Sequence, residues 1–443
     1  MNSRLQIKSL RWKELSTAAR AEALARPVSR RDTQFSDQVA AIISKVKTGG
    51  DQALLNFTRE YDGVSLTSLK VTAQEISEAR KNLDPILVKA IEEAIRRISI
   101  FHQAQLPKPI DLETSAGVRC ERRFFPIPRV GLYVPGGTAS LPSTVMMLGV
   151  PAKIANCGLR VLITPPRKDS SIDPSILTAA SLLGITEIYK AGGAQAIAAL
   201  AYGTESIPKV DKIYGPGNSW VTEAKLQVSQ DPFGAACDLP AGPSEVLVIA
   251  DSKANASFVA SDLLSQAEHG TDSQVVLLCE SAEQIQKVLA ELEKQTAALP
   301  RREIAYAALE KSVLIEVPSL SEAFTISNDY APEHLILQVE NARHYAEGVT
   351  NAGSVFIGAW TPESVGDYAS GTNHVLPTYG FARAYSGLST ESFMKGITFQ
   401  ELSPAGLKEL GPTVQVLAQA EQLEAHRNAV TLRLAALRSG EKS

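Results

Sequence analysis

From about residue 128 the chain repeats one grammar: a short apolar run, a turn bearing glycine, then a helical stretch. Residues 130–134 run into Pro-Gly-Gly and a helical stretch over 144–156. Residues 160–164 precede a helix over 174–183. Ile188-Tyr-Lys190 leads through Ala191-Gly-Gly-Ala-Gln195 to a helix ending at Tyr202, and residues 209–214 are followed by Gly-Pro-Gly-Asn218 and a further helix. Four such units in series restrict the fold severely. Parallel strands need crossover connections, and the crossover helices cover both faces of the sheet.

The pattern starts again after Leu239-Pro-Ala-Gly-Pro243. Strands are expected at 245–250, 275–278, 313–317, 335–339 and 354–358, with helices over 254–268 and 282–292. The two halves share an architecture but no residue-level repeat. Ahead of them, 35–47 and 86–105 carry apolar residues at helical spacing, and Gly49-Gly50-Asp51 marks a break between helices. After about residue 380 the strands are expected to stop, with 394–439 mostly helical. The expected organisation is a mainly helical segment 1–127, a first α/β domain 128–240, a second α/β domain 241–380 and a helical segment 381–443. A site between the two α/β domains follows from that layout.

Composition removes several classes of function. The net charge is −4 with both signs interspersed, so no basic stripe offers itself to nucleic acid. The apolar runs are too short to span a bilayer, and the opening Met-Asn-Ser-Arg-Leu-Gln-Ile-Lys lacks the apolar core of a signal peptide; a cytoplasmic protein is expected. Cys120, Cys157, Cys237 and Cys279 lie far apart, which indicates neither a thiolate metal cluster nor a disulfide framework.

The six histidines are few, yet four of them sit in short polar motifs. Gln266 and His269 are three apart near a helix end, where an amide oxygen and an imidazole nitrogen can ligate zinc or a similar ion, and Asp262 can orient a ligand from behind. The same pair also suits a solvated helix face with histidine at the favourable end of the dipole. Glu333-His334 follows Pro332 at the start of a strand. There an imidazole of near-neutral pKa can act as base while the carboxylate handles water; two solvated loop residues are the competing reading. Asp367 and His374 lie in a Gly-, Ser- and Thr-rich stretch read as a loop, which suits either a metal ligand with a substrate contact or plain turn chemistry. Glu421 and His426 are read as lying in one C-terminal helix. Five residues apart, they would be separated by about 140° around its axis.

No G-x-G-x-x-G follows a strand. Instead, Tyr133-Val-Pro-Gly-Gly-Thr138, Ala191-Gly-Gly-Ala-Gln195 and Tyr214-Gly-Pro-Gly-Asn218 each follow one. Glycine there lets a pyrophosphate approach backbone N–H groups, and tight βα turns have the same composition.

With these segments in view, the sequence resembles L-histidinol dehydrogenase nearly end to end. The resemblance is carried by residues 130–137, 191–196, 214–218, 239–247, 264–269, 331–335 and 382–388, in the family's order. It implies oxidation of L-histidinol to L-histidine in two NAD-dependent steps through a held histidinaldehyde, the last reaction of histidine biosynthesis. It implies two tandem Rossmann-like domains in an intertwined homodimer, whose C-terminal segments complete each other's sites. One zinc per subunit would be held by Gln266, His269, Asp367 and His426. His334 would be the base and Glu333 its partner. Ser244, His374 and Glu421 would contact substrate, together with the zinc ligands and His334, while Tyr133, Gln195 and Asn218 would contact NAD. Co²⁺ or Mn²⁺ would suit similar ligands. A relative acting on another alcohol and a zinc hydrolase using Glu333 are the competing functions. The hydrolase leaves the three glycine turns unexplained.

Overall fold

The structure, a computed structural model, describes residues 5–27, 33–136, 140–240 and 242–439. Its strands are β1 (Lys8–Arg11), β2 (Ile110–Ser115), β3 (Val118–Pro126), β4 (Arg129–Tyr133), β5 (Leu159–Thr164), β6 (Glu187–Lys190), β7 (Lys212–Tyr214), β8 (Ala236–Cys237), β9 (Glu245–Ala250), β10 (Gln274–Cys279), β11 (Val313–Glu316), β12 (His334–Gln338), β13 (Ser354–Ile357) and β14 (Met394–Leu402). By its internal contacts the chain divides into two units, 1–105 with 127–393, and 106–126 with 394–443.

The first unit contains two parallel sheets. One has the order β6-β5-β4-β7-β8, the other β1-β11-β10-β9-β12-β13. The unbroken apolar runs have a direct cause. Every residue of β9 and β10 is buried, because helices cover both faces of the sheet. Alternation still sorts the side chains. Val246, Val248 and Ala250 join one core, while Leu247 and Ile249 join the core on the opposite face.

The helical N-terminal stretch covers the first sheet. Helix Thr33–Phe57 bends at Gly50, whose φ of 50° and ψ of −135° leave the helical region. Its residues Val39, Ile42, Ile43 and Val46 share a core with helix Gly193–Tyr202 and with Val161 and Ile163 of β5. Helix Pro85–Ala104 starts with Pro85, while the Asp84 side chain accepts from the Ile86 N–H. It buries Ile91, Ala94, Ile98 and His102, one stripe at helical spacing, and packs on helix Pro142–Ile154.

Three expectations are corrected. β1 pairs in parallel with β11, so the N-terminal stretch contributes an edge strand to the second sheet. Residues 110–126 form the antiparallel pair β2 and β3 rather than helix. Strands also do not stop near 380: β14 pairs with β3 along its whole length. Ile397, Thr398 and Phe399 are strand-forming types, and a neighbouring strand overrides the weak helical preference assumed for the tail.

The second unit consists of this three-stranded sheet, β14-β3-β2, with helices Pro404–Ala420 and Glu424–Ser439. It leaves Ile397, Phe399, Val416 and Leu432 exposed.

Candidate active site

Chemistry-bearing residues gather where β9 and β12 begin. Glu333 immediately precedes β12 and His334 is its first residue, flanked in the sheet by Val246 and Ser354. Both side chains are buried. The Glu333 N–H donates to Glu245 Oε1 (3.2 Å), and the Glu245 N–H donates to Glu333 Oε2 (2.9 Å). His334 Nδ1 lies 3.2 Å from the carbonyl oxygen of Glu245. A carbonyl only accepts, so Nδ1 carries a hydrogen and Nε2 is the nitrogen at which the ring gains or loses its proton. Nε2 is buried without a hydrogen-bond partner among the described residues and stands 3.7 Å from Asp367 Oδ1.

Behind Glu245, Arg26 donates from Nε to its Oε2 (2.6 Å) and from Nη2 to its Oε1 (2.9 Å), with the guanidinium 3.8 Å above the Tyr330 ring. This bidentate pair and the stacked ring immobilise the group that grips Glu333.

Asp367 lies on the short helix Glu363–Tyr368 rather than in a loop. Glu363, four residues earlier on the same helix face, was absent from the sequence-derived set. Ligand atoms of His269, Glu363 and Asp367 lie within 4.8 Å of one another. The signal for Glu363 was present: two carboxylates four apart after Pro362, a helix-starting residue. Gln266 is fully buried at the end of helix Ala256–Ala267. Only with its amide turned so that the NH2 faces Glu363 Oε1 does its oxygen accept from the Glu245 N–H (2.9 Å). His269 lies in the turn beyond the helix and is exposed, so the two do not share a helix face as expected. Asp262 is bonded to Gln338 Nε2 (2.9 Å) instead of to a candidate ligand.

The electrostatics of the cluster are coupled. Burial raises the Glu333 pKa to about 8, although His334 opposes it. Burial likewise lifts Glu363 well above the usual carboxylate range. For Asp367 burial is outweighed by the nearby imidazoles of His334, His374 and His269, and its pKa falls. Desolvation works against a charged His334, but Glu363, Glu333 and Asp367 together raise its pKa well above the ordinary value. A dication among the same carboxylates would act in the opposite sense. His374 donates from Nδ1 to the Asp367 carbonyl oxygen (3.0 Å), which leaves its Nε2 as an acceptor.

Ser244, Gln266, His269, Glu333, His334, Asp367 and His374 line one cavity of about 1220 Å³. A second cavity of about 990 Å³ is lined by Tyr133, Gly136, Gly192, Gly193, Gln195 and Asn218. The three glycine turns, separated in sequence, therefore converge; Gly137 and Thr138 of the first lie outside the described residues. Tyr133 Oη accepts from the Gly193 N–H (3.2 Å), and Asn218 caps helix Ser219–Gln230 by accepting from the Val221 N–H (3.2 Å). Gly215 has a φ of 124°, and a Cβ there would lie 2.0 Å from the Tyr133 carbonyl oxygen, so only glycine lets these turns meet. Pro135 and Asn218 line both cavities. The carboxyl ends of β4, β6 and β7 thus border one cavity, and the amino ends of β9 and β12 border the next.

Glu421 and His426 are not on one helix. Glu421 follows helix Pro404–Ala420 and His426 belongs to Glu424–Ser439, with Gln422 at a φ of 59° between the two helices. The expected angular offset therefore does not apply. Both are exposed and belong to the second unit, and neither is among the residues lining the two cavities. The cysteines take no part: all four are free, and burial raises the thiol pKa to about 11 for Cys157 and Cys279 and to about 12 for Cys237.

A parallel α/β scaffold with glycine turns converging on one cavity, beside an imidazole–carboxylate cluster in the next, defines an oxidoreductase of the nucleotide-using class. Comparison with known proteins narrows this. The histidinol dehydrogenase family profile matches residues 25–434. The chain is 55% identical over 428 residues to histidinol dehydrogenase of Xanthomonas oryzae pv. oryzae, covering 97% of this chain and 99% of that one. It is 52% identical over 425 residues to that of Colwellia psychrerythraea, covering 96% and 98%. The crystal structure of histidinol dehydrogenase from Elizabethkingia anophelis superposes with a TM-score of 0.93 at 47% identity, covering 98% and 99%. The chain belongs to the histidinol dehydrogenase family. It is thus an NAD-dependent oxidoreductase of histidinol, acting in histidine biosynthesis. No helix among the described residues is long and apolar enough to cross a membrane.

Proposed function

We propose that the protein oxidises L-histidinol to L-histidine in two successive hydride transfers to NAD, holding the aldehyde between them. The observation that carries this reading is the His334 ring: Nδ1 is held by a carbonyl, and Nε2 is buried, has no hydrogen-bond partner among the described residues and stands 3.7 Å from Asp367 Oδ1. A ring so fixed presents one nitrogen for proton exchange with a substrate. His334 takes the alcohol proton as hydride leaves the carbon. Glu333, gripped by Glu245, takes a proton from the water that adds to the aldehyde while protonated His334 returns its proton to the carbonyl oxygen, and His334, neutral again, takes the hydrate's proton in the second transfer. The oxidation of one histidinol consumes two NAD and one water. Tyr133, Gln195 and Asn218 would hold NAD in the first cavity, which shares Pro135 and Asn218 with the second.

Zinc fits the cluster. The donors are an imidazole, carboxylates and an amide, and the convergence of acidic groups in a buried place calls for a cation. Gln266, His269 and Asp367 would hold it, with His426 of the partner subunit as the fourth ligand. Bound there, zinc would orient the imidazole and amine of histidinol. Gln266 would turn its amide to present oxygen. Ser244, His374 and the partner subunit's Glu421 would hold the substrate, alongside the same cluster residues and His334. The exposed apolar residues of the second unit support a homodimer with exchanged C-terminal segments. A biosynthetic enzyme working on small soluble metabolites is placed in the cytoplasm.

The test is NADH formation with L-histidinol before and after chelation. Two NADH per histidinol, lost on chelation and regained with zinc, would agree with the reading. Oxidation without dependence on metal would remove the zinc assignment. Failure to oxidise histidinol by the metal-loaded, NAD-binding protein would point to another alcohol.

A further inference from the structure

The first cavity contains an acidic group that the mechanism above leaves unused. Asp62 ends the turn Thr58–Asp62, and Gly63, at a φ of 68°, reverses the chain after it. Asp62 lines the cavity beside Tyr61, Arg167 and Lys168. Its Oδ2 is buried and has no hydrogen-bond partner among the described residues.

The other charged groups of that wall are engaged. Asp169 Oδ1 accepts from Ser171 N (3.0 Å) and Oγ (2.5 Å), and Asp173 Oδ1 accepts from Ser175 N (2.9 Å) and Oγ (2.5 Å). Lys168 Nζ donates to the backbone carbonyl of Asp62, and Arg167 Nη1 stands 3.8 Å from Asp173 Oδ2. A half-buried carboxylate that lacks a donor is suited to a ligand bringing hydroxyl hydrogens, and rotation about χ2 exchanges its two oxygens.

Position decides which part of the coenzyme that is. Pro135 and Asn218, which border both cavities, mark the end where hydride must pass. Asp62 borders the first cavity and, unlike Pro135 and Asn218, not the second, which suits the adenosine half of the coenzyme better than the nicotinamide half. We propose that Asp62 accepts the vicinal hydroxyls of the coenzyme's adenosine ribose and makes the protein select NAD over NADP. This rests on assigning the first cavity to the coenzyme. The chemistry is that of an acidic side chain reading a ribose diol, and a 2′-phosphate would put its negative charge against the carboxylate.

The test is direct binding, by titration calorimetry on the zinc-loaded full chain, of NAD, NADP and the 2′-deoxyadenosine analogue of NAD. Asp62→Asn should weaken NAD about 10–100-fold, the usual worth of a hydrogen bond to a charged group, and should strengthen NADP as Lys168 and Arg167 lose their opposing charge. Unmutated protein should bind the 2′-deoxy analogue more weakly than NAD, and Asp62→Asn should no longer tell these two apart. An unchanged NAD-to-NADP ratio in Asp62→Asn, with Gln195→Ala still weakening NAD, would overturn the ribose assignment alone. NAD affinity unaffected by Gln195→Ala would overturn the assignment of the cavity, and this proposal with it.

Discussion

His334 and Glu245 are joined through the strand backbone: the carbonyl of Glu245 receives the imidazole N–H at 3.2 Å, and so decides which ring nitrogen is left to react. His334→Ala removes the free nitrogen. The rate of hydride transfer should fall about 10²–10⁴-fold, the usual worth of a general base. Stopped-flow NADH formation measures it, and near-normal single-turnover rates would exclude His334 from proton transfer.

Glu333 should divide the two half-reactions. It acts as base only when ionised, and burial has raised its pKa to about 8. The part of the reaction it limits should therefore be full above that pH and fall about tenfold per unit below it, the slope of a single titration. Glu333→Gln should abolish this limb in assays started from histidinaldehyde and affect histidinol oxidation less. Equal losses from both starting points would contradict the division.

Metal removal offers a separate check on the carboxylate cluster. Glu363 approaches His269 and Asp367 closely and faces the Gln266 amide. Glu363→Gln should weaken zinc about 10–100-fold, the range seen when a partner of a metal ligand is lost. Competition with a chromophoric chelator measures this without reference to turnover. Unaltered zinc affinity would make Glu363 a bystander.

Gly215 gives a prediction about the scaffold. Gly215→Ala adds a Cβ 2.0 Å from the Tyr133 carbonyl oxygen at a φ of 124°. Backbone strain alone should cost about 1–3 kcal/mol, and the clash should spread the turns that carry Tyr133 and Asn218. A lowered melting temperature with weakened NAD binding is expected. A variant as stable and as tight as the parent would show that the turns tolerate separation.

The parallel sheets were legible because buried strands are unbroken apolar runs, as in Glu245-Val-Leu-Val-Ile-Ala250, and the crossover helices are punctuated by glycine. β1 was not, since Lys8-Ser-Leu-Arg11 is short and polar and becomes a strand only because β11 offers an edge. β14 was missed for a related reason: its partner, β3, lies more than 250 residues earlier, and long-range pairing leaves no local periodicity to read. Within the site, His334 and Glu333 could be found by residue type, while Glu363 required knowing that 363–368 is helical. Glu245 and Arg26 were beyond reach, because their value lies in what they hold. Arg26 meets Glu245 across 219 residues of sequence.

Pro135 and Asn218 line both cavities, so the two share one stretch of wall. The proposed reaction, with two oxidant molecules in turn and a reactive aldehyde between them, would benefit from that arrangement. On the proposed reading, spent coenzyme would leave and fresh coenzyme enter through its own chamber, while the intermediate stays where it was made. The order of events would then follow from the plan of the building.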